Sequence, residues 1–334
     1  MLKKIINYYR IDEWYSSKIP LAMAMLLYAC RDADPTLSDQ QFLSSFLFFF
    51  LFWVCFFAFN YLFNDYADLE KDREAGKVKV IQSVPPKVTL LNLCLLLIIS
   101  IVLCLVFFLD RPLVAVVAVF SYLLGMAYSA KGIRLKEFGV IGVIECSFAQ
   151  RNTPILILLV MVPVKPIAAI CWMCIVFING LRYILVHQLL DKENDKKVGI
   201  QTLVTSHDLP YKQLIVIFWV IELVLLVVLF KGTLFTAAGL IFVTVYALFC
   251  LLNHIFIKKV LHQSYMFSFA NLPLEDLYNV FLPIILSVTY GLEHGYWWLI
   301  AAALVYLCIP IVQKTAMPMM CLFKLITTDI SLFK

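Results

Sequence analysis

The sequence predicts an all-α fold, a polytopic membrane helical bundle. The chain has 334 residues, of which 63% are hydrophobic, whereas soluble domains are about 45–50% apolar. Its mean hydropathy is +0.92. The apolar residues lie in long continuous runs and do not alternate with polar ones, which favours spanning helices over a β-barrel.

Ten apolar runs are candidate transmembrane helices. Most approach the roughly 20 residues that a helix needs to cross the hydrocarbon core, and the first and ninth runs are shorter. The predicted spans are 17–31, 41–63, 87–109, 112–129, 138–162, 164–189, 210–230, 233–256, 277–292 and 296–313. We predict one transmembrane domain over 1–313 and a C-terminal tail over 314–334, in the cytoplasm or on the membrane surface.

Lysine and arginine are distributed unevenly between alternate loops. With the N-terminus in the cytoplasm, the loops on that side carry 21 of the 27 Lys and Arg residues, and the opposite loops carry 4. Such an excess is typical of cytoplasmic loops. We therefore predict an integral, multi-pass membrane protein with a cytoplasmic N-terminus.

Composition also limits the classes of function. The ten cysteines lack paired spacing, and most lie in apolar runs, so we predict neither disulfides nor a zinc site. The net charge of +5 is modest, and we predict no nucleic-acid partner.

A polar run at the end of the second span, residues 60–72, is not explained by folding alone. If the helix continues, Asp65, Asp68 and Asp72 lie within an arc of about 60° on one face. Three carboxylates this close repel one another. A divalent cation relieves that repulsion, and oxygen ligands suit Mg²⁺. The alternative interpretation is a solvated acidic cap on a membrane helix.

A second acidic cluster follows the sixth span, on the same predicted face of the membrane. Asp191 and Asp195 are four residues apart and therefore about 40° apart on a helix. Lys196 and Lys197 follow directly, and Gly199 then permits a turn. Because two acid clusters recur at equivalent depth, a metal-binding role is favoured over two unrelated solvated caps.

Spans five and six carry polar residues at membrane depth, where a charge costs roughly 2.5–3.5 kcal/mol on insertion scales. These residues are Glu145, Gln150, Arg151 and Asn152 in span five, and Asn179, Arg182, Tyr183, His187 and Asp191 in span six. Those of span six, apart from Arg182, recur every four residues as a helical stripe. The pattern favours a lined cavity. A structural pair between Glu145 and an arginine is the alternative.

Basic residues flank both acid clusters. Lys131, Arg134 and Lys136 follow span four, although an ordinary cytoplasmic loop also explains them. Carboxylates with Mg²⁺ and nearby cations suit a polyanion such as a diphosphate. At the mouth of a membrane bundle, that diphosphate is expected to carry a lipid tail, as in an isoprenyl diphosphate. Metal would assist its departure, and the 27 Phe and 16 Tyr can supply a dry aromatic pocket for a carbocation.

Three segments resemble the UbiA superfamily of intramembrane prenyltransferases, over roughly residues 15–290. The first superfamily signature resembles Asn64-Asp65-x-x-Asp68-x-x-x-Asp72. The second is similar to Asp191-x-x-x-Asp195-x-x-x-Gly199-x-x-Thr202. The superfamily's segment between its fourth and fifth helices is similar to Tyr128-Ser129 followed by Arg134-Leu-Lys136.

The resemblance implies a bundle of nine or ten transmembrane helices around a central cavity, with active-site loops on the cytoplasmic side. It implies catalytic roles for Asp65, Asp68, Asp191 and Tyr128. Mg²⁺ would be held by Asn64, Asp68, Asp72, Asp191 and Asp195. The diphosphate would be bound by Arg73, Lys77, Arg134, Lys136 and Lys196. The sequence departs from the superfamily after the first signature, where Arg73-Glu-Ala-Gly-Lys77 replaces an Asn-Arg-Pro-like stretch.

Three functions are compatible with these residues. The first is Mg²⁺-dependent transfer of a prenyl group to an aromatic, lipid or other small-molecule acceptor, with release of diphosphate. The second is a membrane terpene cyclase without an acceptor, and the third is a transporter. The intramembrane polar residues favour transfer, because an acceptor needs an anchor or a base. The candidates for that pocket are Glu145, Arg151, Asn179, Arg182 and His187.

Overall fold

The computed structural model describes residues 2–33, 37–74, 76–197, 202–260, 274–308 and 312. The described residues are helical or irregular, with no strand among them. The chain divides into two compact units, Met1–Leu209 and Pro210–Lys334. Each unit is treated by itself below.

The first unit opens with two short helices and continues into the apolar helices α3 and α4. Its first five helices are α1 Leu2–Tyr8, α2 Ile11–Trp14, α3 Ile19–Arg31, α4 Asp39–Ala67 and α5 Leu69–Glu74. A capping box begins α4, because Ser38 Oγ accepts a bond from the Gln41 amide, and the Gln41 side chain accepts one from Ser38 N. The capping box fixes the residue at which α4 begins, and the other end of this helix carries the first acid cluster.

Six further helices lie among the described residues of the first unit. They are α6 Pro86–Phe108, α7 Pro112–Ser129, α8 Val140–Ser147, α9 Thr153–Met161, α10 Pro166–Lys197 and α11 Leu203–Ser206. A π-helical turn, Phe148–Asn152, joins α8 to α9. Short 3₁₀ turns lie at Val80–Ser83 and Leu135–Glu137. Proline at the first turn of α6, α7 and α9 suits their starts, since its missing N–H has no intrahelical partner there.

Aromatic side chains of α4 form the centre of the first unit. Phe52, Trp53 and Phe56 are fully buried, and Trp53 packs edge to face against both phenylalanine rings. Tyr122 of α7 lies edge-on to Phe56 and Phe59, with ring centroids 5.3 and 4.9 Å apart. Such pairs contribute about 0.5–1.5 kcal/mol beyond their buried area. This packing fixes the C-terminal end of α4 beside the C-terminal end of α7.

Four helices lie among the described residues of the second unit. They are α12 Tyr211–Leu234, α13 Ala237–Val260, α14 Leu282–His294 and α15 Trp297–Cys308. A π-helical turn, Leu277–Phe281, leads into α14. The Tyr278 hydroxyl donates a hydrogen bond to the carboxylate of Glu222, at 3.1 Å, and both side chains are fully buried.

The described helices follow the apolar runs closely. Six are long and apolar enough to cross a membrane, among the described residues: Asp39–Ala67, Pro86–Phe108, Pro112–Ser129, Val140–Met161, Pro166–Glu193 and Tyr211–Gly232. Shorter apolar helices lie at Ile19–Arg31, Gly239–Leu251 and Trp297–Cys308. The all-α prediction is confirmed, whereas nine or ten spans, the central cavity and the domain over 1–313 stay predictions. The tail over 314–334 lies outside the described residues.

Candidate active site

The first acid cluster is divided by the end of a helix. Helix α4 ends at Ala67, and Asp68 is its C-cap, with φ −95° and ψ 1°. Helix α5 begins at Leu69. The expectation of one continuous helix through Asp72 is therefore wrong, because the helix is interrupted at Asp68. The three carboxylates form two groups, and each group has its own cations.

Lys79 joins the first group, Asp65 and Asp72. Its ammonium lies 2.6 Å from Asp65 Oδ1 and 2.7 Å from Asp72 Oδ2. Both carboxylates are buried. Burial lowers the pKa of Lys79, but its hydrogen bonds to the two carboxylates outweigh burial, and the net pKa is raised. Arg10 also reaches Asp65 Oδ1, at 3.1 Å.

The second group consists of Asn64 and Asp68 at the end of α4. Arg134 Nη2 donates to Asp68 Oδ1 at 2.9 Å, and the Lys136 ammonium contacts Asp68 Oδ2. Lys136 also donates to Asn64 Oδ1 at 3.1 Å. Burial is the largest influence on Lys136, and it lowers the pKa even though Asp68 opposes it. Ser129 at the end of α7 donates a further bond to Asn64 Oδ1.

Close backbone packing holds the basic loop in place. A Cβ at Gly142 in α8 would lie 2.5 Å from the Leu135 carbonyl oxygen and 2.9 Å from Lys136 Cα. Arg134 adopts the left-handed region, with φ 43°, which a non-glycine residue reaches at a cost. The Tyr128 ring centroid lies 5.8 Å from Lys136 Nζ. The loop therefore presents two cations to Asp68 from a constrained backbone.

The second acid cluster lies on α10. His187 Nδ1 lies 2.8 Å from Asp191 Oδ2, and the side chains of Asp191 and His187 are 45% and 60% exposed. Lys196 is exposed. The side chain of Asp195 and the whole of Gly199 lie outside the described residues. Thr202 caps α11 through a capping box with Thr205.

The acceptor-pocket candidates differ in burial. Glu145, Arg151, Asn179 and Arg182 are buried, whereas His187 is exposed. Glu145 makes no ion pair or hydrogen bond with a described residue through its carboxylate. The alternative of a structural Glu145–arginine pair is therefore not found in the described part of the chain.

Two of the predicted diphosphate ligands have exposed side chains. Arg73 and Lys77 are exposed, and Lys79 is the loop cation that contacts Asp65 and Asp72. Their role stays a prediction. Arg10, Lys79 and Ser129 were not selected from the sequence as site residues. The position of Lys79 in the basic loop after the first signature could have indicated a contact with the acids. Arg10 gave no such indication, because it is 55 residues from its partner Asp65.

Mg²⁺ fits the oxygen donors of this site. Among the described residues, no three His, Cys, Asp or Glu side chains gather into a metal-binding group. Even so, Asn64 Oδ1 and Asp68 Oδ2 converge on the same Lys136 ammonium, and Asp65 and Asp72 converge on Lys79. Paired hard oxygens aimed at one positive charge are the donor type that Mg²⁺ prefers.

Solved structures share this fold. A UbiA homolog from Archaeoglobus fulgidus has a TM-score of 0.56 and 17% identity, covering 89% of this chain and 99% of that one. The same homolog bound to GPP and Mg²⁺ has a TM-score of 0.57 and 15% identity, with the same coverage. A digeranylgeranylglyceryl phosphate synthase has a TM-score of 0.52 and 16% identity, covering 86% of this chain and 95% of that one. At these low sequence identities, the structural similarity shows only that the fold is shared.

Family comparison extends beyond the fold. No curated protein matches the chain significantly. The sequence does match the model of the UbiA prenyltransferase family over residues 19–272, which is more than half of the chain and includes both acid clusters. The chain thus belongs to the UbiA prenyltransferase family, whose members are Mg²⁺-dependent integral membrane proteins.

Proposed function

We propose that this protein transfers a prenyl group from an isoprenyl diphosphate to an acceptor within the membrane and releases diphosphate. The observation that carries this proposal is the pairing of Asn64 and Asp68 with Arg134 and Lys136. Anion-binding cations and hard oxygen donors meet there at a helix end. Bound GPP with Mg²⁺ and bound DMAPP with Mg²⁺ in the Archaeoglobus homolog support the same substrate class.

The metal is assigned to Asn64, Asp68, Asp72, Asp191 and Asp195, with Asp65 beside them. When bound, Mg²⁺ supplies Lewis-acid stabilisation of the departing diphosphate. Asn64 and Asp68 offer oxygens to it, and Asp191 offers a half-exposed carboxylate from α10. Asp65 is buried and keeps Lys79 and Arg10 at the site.

Arg134 and Lys136 bind the diphosphate oxygens in this proposal. A charge-assisted hydrogen bond is roughly twice as strong as a neutral one, and both side chains are more than four-fifths buried. Lys196, Arg73 and Lys77 contribute further positive charge from more exposed positions. Tyr128 lies under Lys136, where its ring face can stabilise the allylic cation as the C–O bond breaks.

The acceptor occupies the polar region formed by spans five and six. Glu145, Arg151, Asn179 and Arg182 are buried there, and His187 lies at the exposed end of the α10 stripe. These groups favour transfer over cyclisation, because a cyclase needs an apolar surface around its carbocation. The excess of Lys and Arg on one set of loops supports a cytoplasmic N-terminus and cytoplasmic active-site loops.

The test uses the purified protein in lipid nanodiscs with Mg²⁺. Geranyl, farnesyl and geranylgeranyl diphosphate are each supplied with and without aromatic acids, quinone precursors and glycerol phosphates. We expect a prenylated acceptor and release of diphosphate that depends on the acceptor. A cyclised hydrocarbon formed without any acceptor would contradict the proposal and favour a terpene cyclase.

A further inference from the structure

The Lys136 ammonium contacts two of the oxygens that the proposed function assigns to the metal. It donates to Asn64 Oδ1 at 3.1 Å and contacts Asp68 Oδ2. Ser129 Oγ accepts a third hydrogen bond from it, at 3.2 Å. An ammonium has three N–H donors, so these three contacts use all of them. The Lys136 side chain is only 17% exposed, and water therefore competes little for this position.

This lysine and a divalent cation compete for the same oxygens. Mg²⁺ binds oxygen ligands directly, at about 2.0–2.1 Å. A bound ammonium leaves no room for such a cation between Asn64 Oδ1 and Asp68 Oδ2. Two positive charges at this short range also repel each other strongly where screening is weak. A metal ion can therefore take both oxygens only if Lys136 moves away from them.

Arg134 is held differently from Lys136. Its Nη2 donates to Asp68 Oδ1 at 2.9 Å, and its Nε donates to Glu137 Oε1 at 2.6 Å. Lys71 Nζ also lies 2.7 Å from that Glu137 oxygen. Among the described residues, Asp68 is the one carboxylate in contact with Lys136. Arg134 therefore keeps a carboxylate partner when Asp68 binds a metal ion, whereas Lys136 needs a new one.

Two groups can receive the Lys136 ammonium when it leaves Asp68. The Tyr128 ring centroid lies 5.8 Å from Nζ, which is within the range of a cation–π contact. A diphosphate bound at Arg134 offers anionic oxygens, and charge-assisted hydrogen bonds to them replace the bond to Asp68. The ammonium keeps a counter-charge if metal and diphosphate arrive together, but it loses its counter-charge if metal arrives alone.

We propose that Lys136 excludes metal from Asn64 and Asp68 in the free enzyme, and that diphosphate opens this position by drawing the ammonium away. The inference rests on the proposed function, which assigns Asn64 and Asp68 to the metal, and it adds the order of binding. Metal and diphosphate then bind with positive coupling, which is reciprocal. The free enzyme is expected to bind a metal ion alone only weakly.

The experiment measures the binding of Mn²⁺ alone, as a paramagnetic substitute for Mg²⁺, by electron paramagnetic resonance in phosphatidylcholine nanodiscs. We expect Lys136→Met and Lys136→Gln to bind Mn²⁺ at least about tenfold more tightly than wild type, because the competing ammonium is gone. The control is Lys131→Met, which removes a lysine of the same loop that is 68% exposed and pairs with Glu70. The control should bind Mn²⁺ as weakly as wild type does.

The double variant Lys136→Met/Asp68→Ala shows where the metal binds. It should lose the gain in Mn²⁺ affinity, because Asp68 supplies one of the two oxygens. A gain that survives without Asp68 would place the metal elsewhere and overturn the proposal. Equal Mn²⁺ affinity in wild type and both Lys136 variants would also overturn it, as would an equal gain in Lys131→Met. Asp68 keeps Arg134 as a partner in both Lys136 variants, so both are expected to fold, and either one decides the result.

Binding of geranyl diphosphate separates this inference from the proposed function. Its affinity is measured on the same samples with and without Mg²⁺. We expect Mg²⁺ to raise that affinity in wild type by a factor at least about fivefold larger than in Lys136→Met. An equal factor in both proteins would overturn the proposed coupling. If wild type binds no geranyl diphosphate with Mg²⁺, the proposed function fails, whereas the Mn²⁺ comparison still tests the exclusion of metal by Lys136.

Discussion

Lys79 places its ammonium 2.6 Å from the buried carboxylate of Asp65 and 2.7 Å from that of Asp72. Lys79 bridges two acids that the sequence shows only as a repelling cluster, and Arg10 supplies the second positive charge at Asp65. The acids are fixed in the folded chain by their own counter-charges, and this explains how they remain buried at a membrane surface. The counter-charges come from α2's N-cap and from the loop after α5.

Lys79→Met should destabilise the protein, because it leaves two buried carboxylates close together with less positive charge. Removal of one partner of a buried pair costs about 3–5 kcal/mol. Lys79 is 29% exposed, so we expect a smaller loss of about 1–3 kcal/mol. The measurement is the melting temperature in detergent without Mg²⁺. Lys77→Met is the matched control, since Lys77 is exposed, and an equal loss in both variants would contradict this role.

Lys136 should give the affinity for diphosphate a dependence on alkaline pH. Burial lowers the pKa of Lys136 below its usual 10.5. As the pH rises toward that value, its ammonium loses the proton earlier than an exposed lysine, and its attraction for phosphate is lost. We therefore expect the affinity for geranyl diphosphate with Mg²⁺ to decrease as the pH rises, with the decrease beginning before pH 10.5 is reached. The measurement is a binding titration at a series of pH values.

Lys136→Arg is the control for that pH dependence, because arginine stays protonated throughout this range. The variant should bind geranyl diphosphate with an affinity that falls only at higher pH. An identical alkaline profile in wild type and Lys136→Arg would show that another group is responsible.

Gly142→Ala should weaken diphosphate binding although it changes no charged residue. The added Cβ would lie 2.5 Å from the Leu135 carbonyl oxygen, so the basic loop must move. A displacement of Lys136 and Arg134 is expected to cost at least about tenfold in affinity for geranyl diphosphate. Gly232→Ala in α12, where a Cβ meets no atom within 4 Å, should bind as wild type does. Unchanged affinity in Gly142→Ala would mean that the loop position is unimportant.

Most of the described apolar helices lie within a few residues of the predicted runs, whereas α10 continues to Lys197, eight residues beyond the predicted end at 189. Hydrophobic length decides where such a helix lies, and α7 begins and ends where the apolar run does, at 112 and 129. The acid clusters could be located from the sequence, whereas the binding of a metal by their carboxylates stays a prediction. These features depend on local sequence alone.

The partners of the acids were harder to predict. Gly76 adopts φ +68° and turns the loop after α5, and Lys79, two residues beyond Lys77, is the lysine that reaches Asp65. Whether Lys77 or Lys79 reaches Asp65 depends on the backbone conformation of the loop, which no periodic sequence pattern specifies. Arg10 and Lys18 lay among the cations predicted to be cytoplasmic, and their contacts with the Tyr61 ring could not be read from the sequence.

The central claim is that two acid clusters act together on one isoprenyl diphosphate. The most direct test is Mg²⁺-dependent release of diphosphate from geranyl diphosphate, with acceptor present, by Asp68→Ala and Asp191→Ala. Asp110→Ala is the control, since the Asp110 side chain is 80% exposed and lies in another loop. We expect each cluster variant to lose at least about a hundredfold in rate while it still unfolds in a cooperative thermal transition, and the control to keep full activity. Retained activity in either cluster variant would contradict the account.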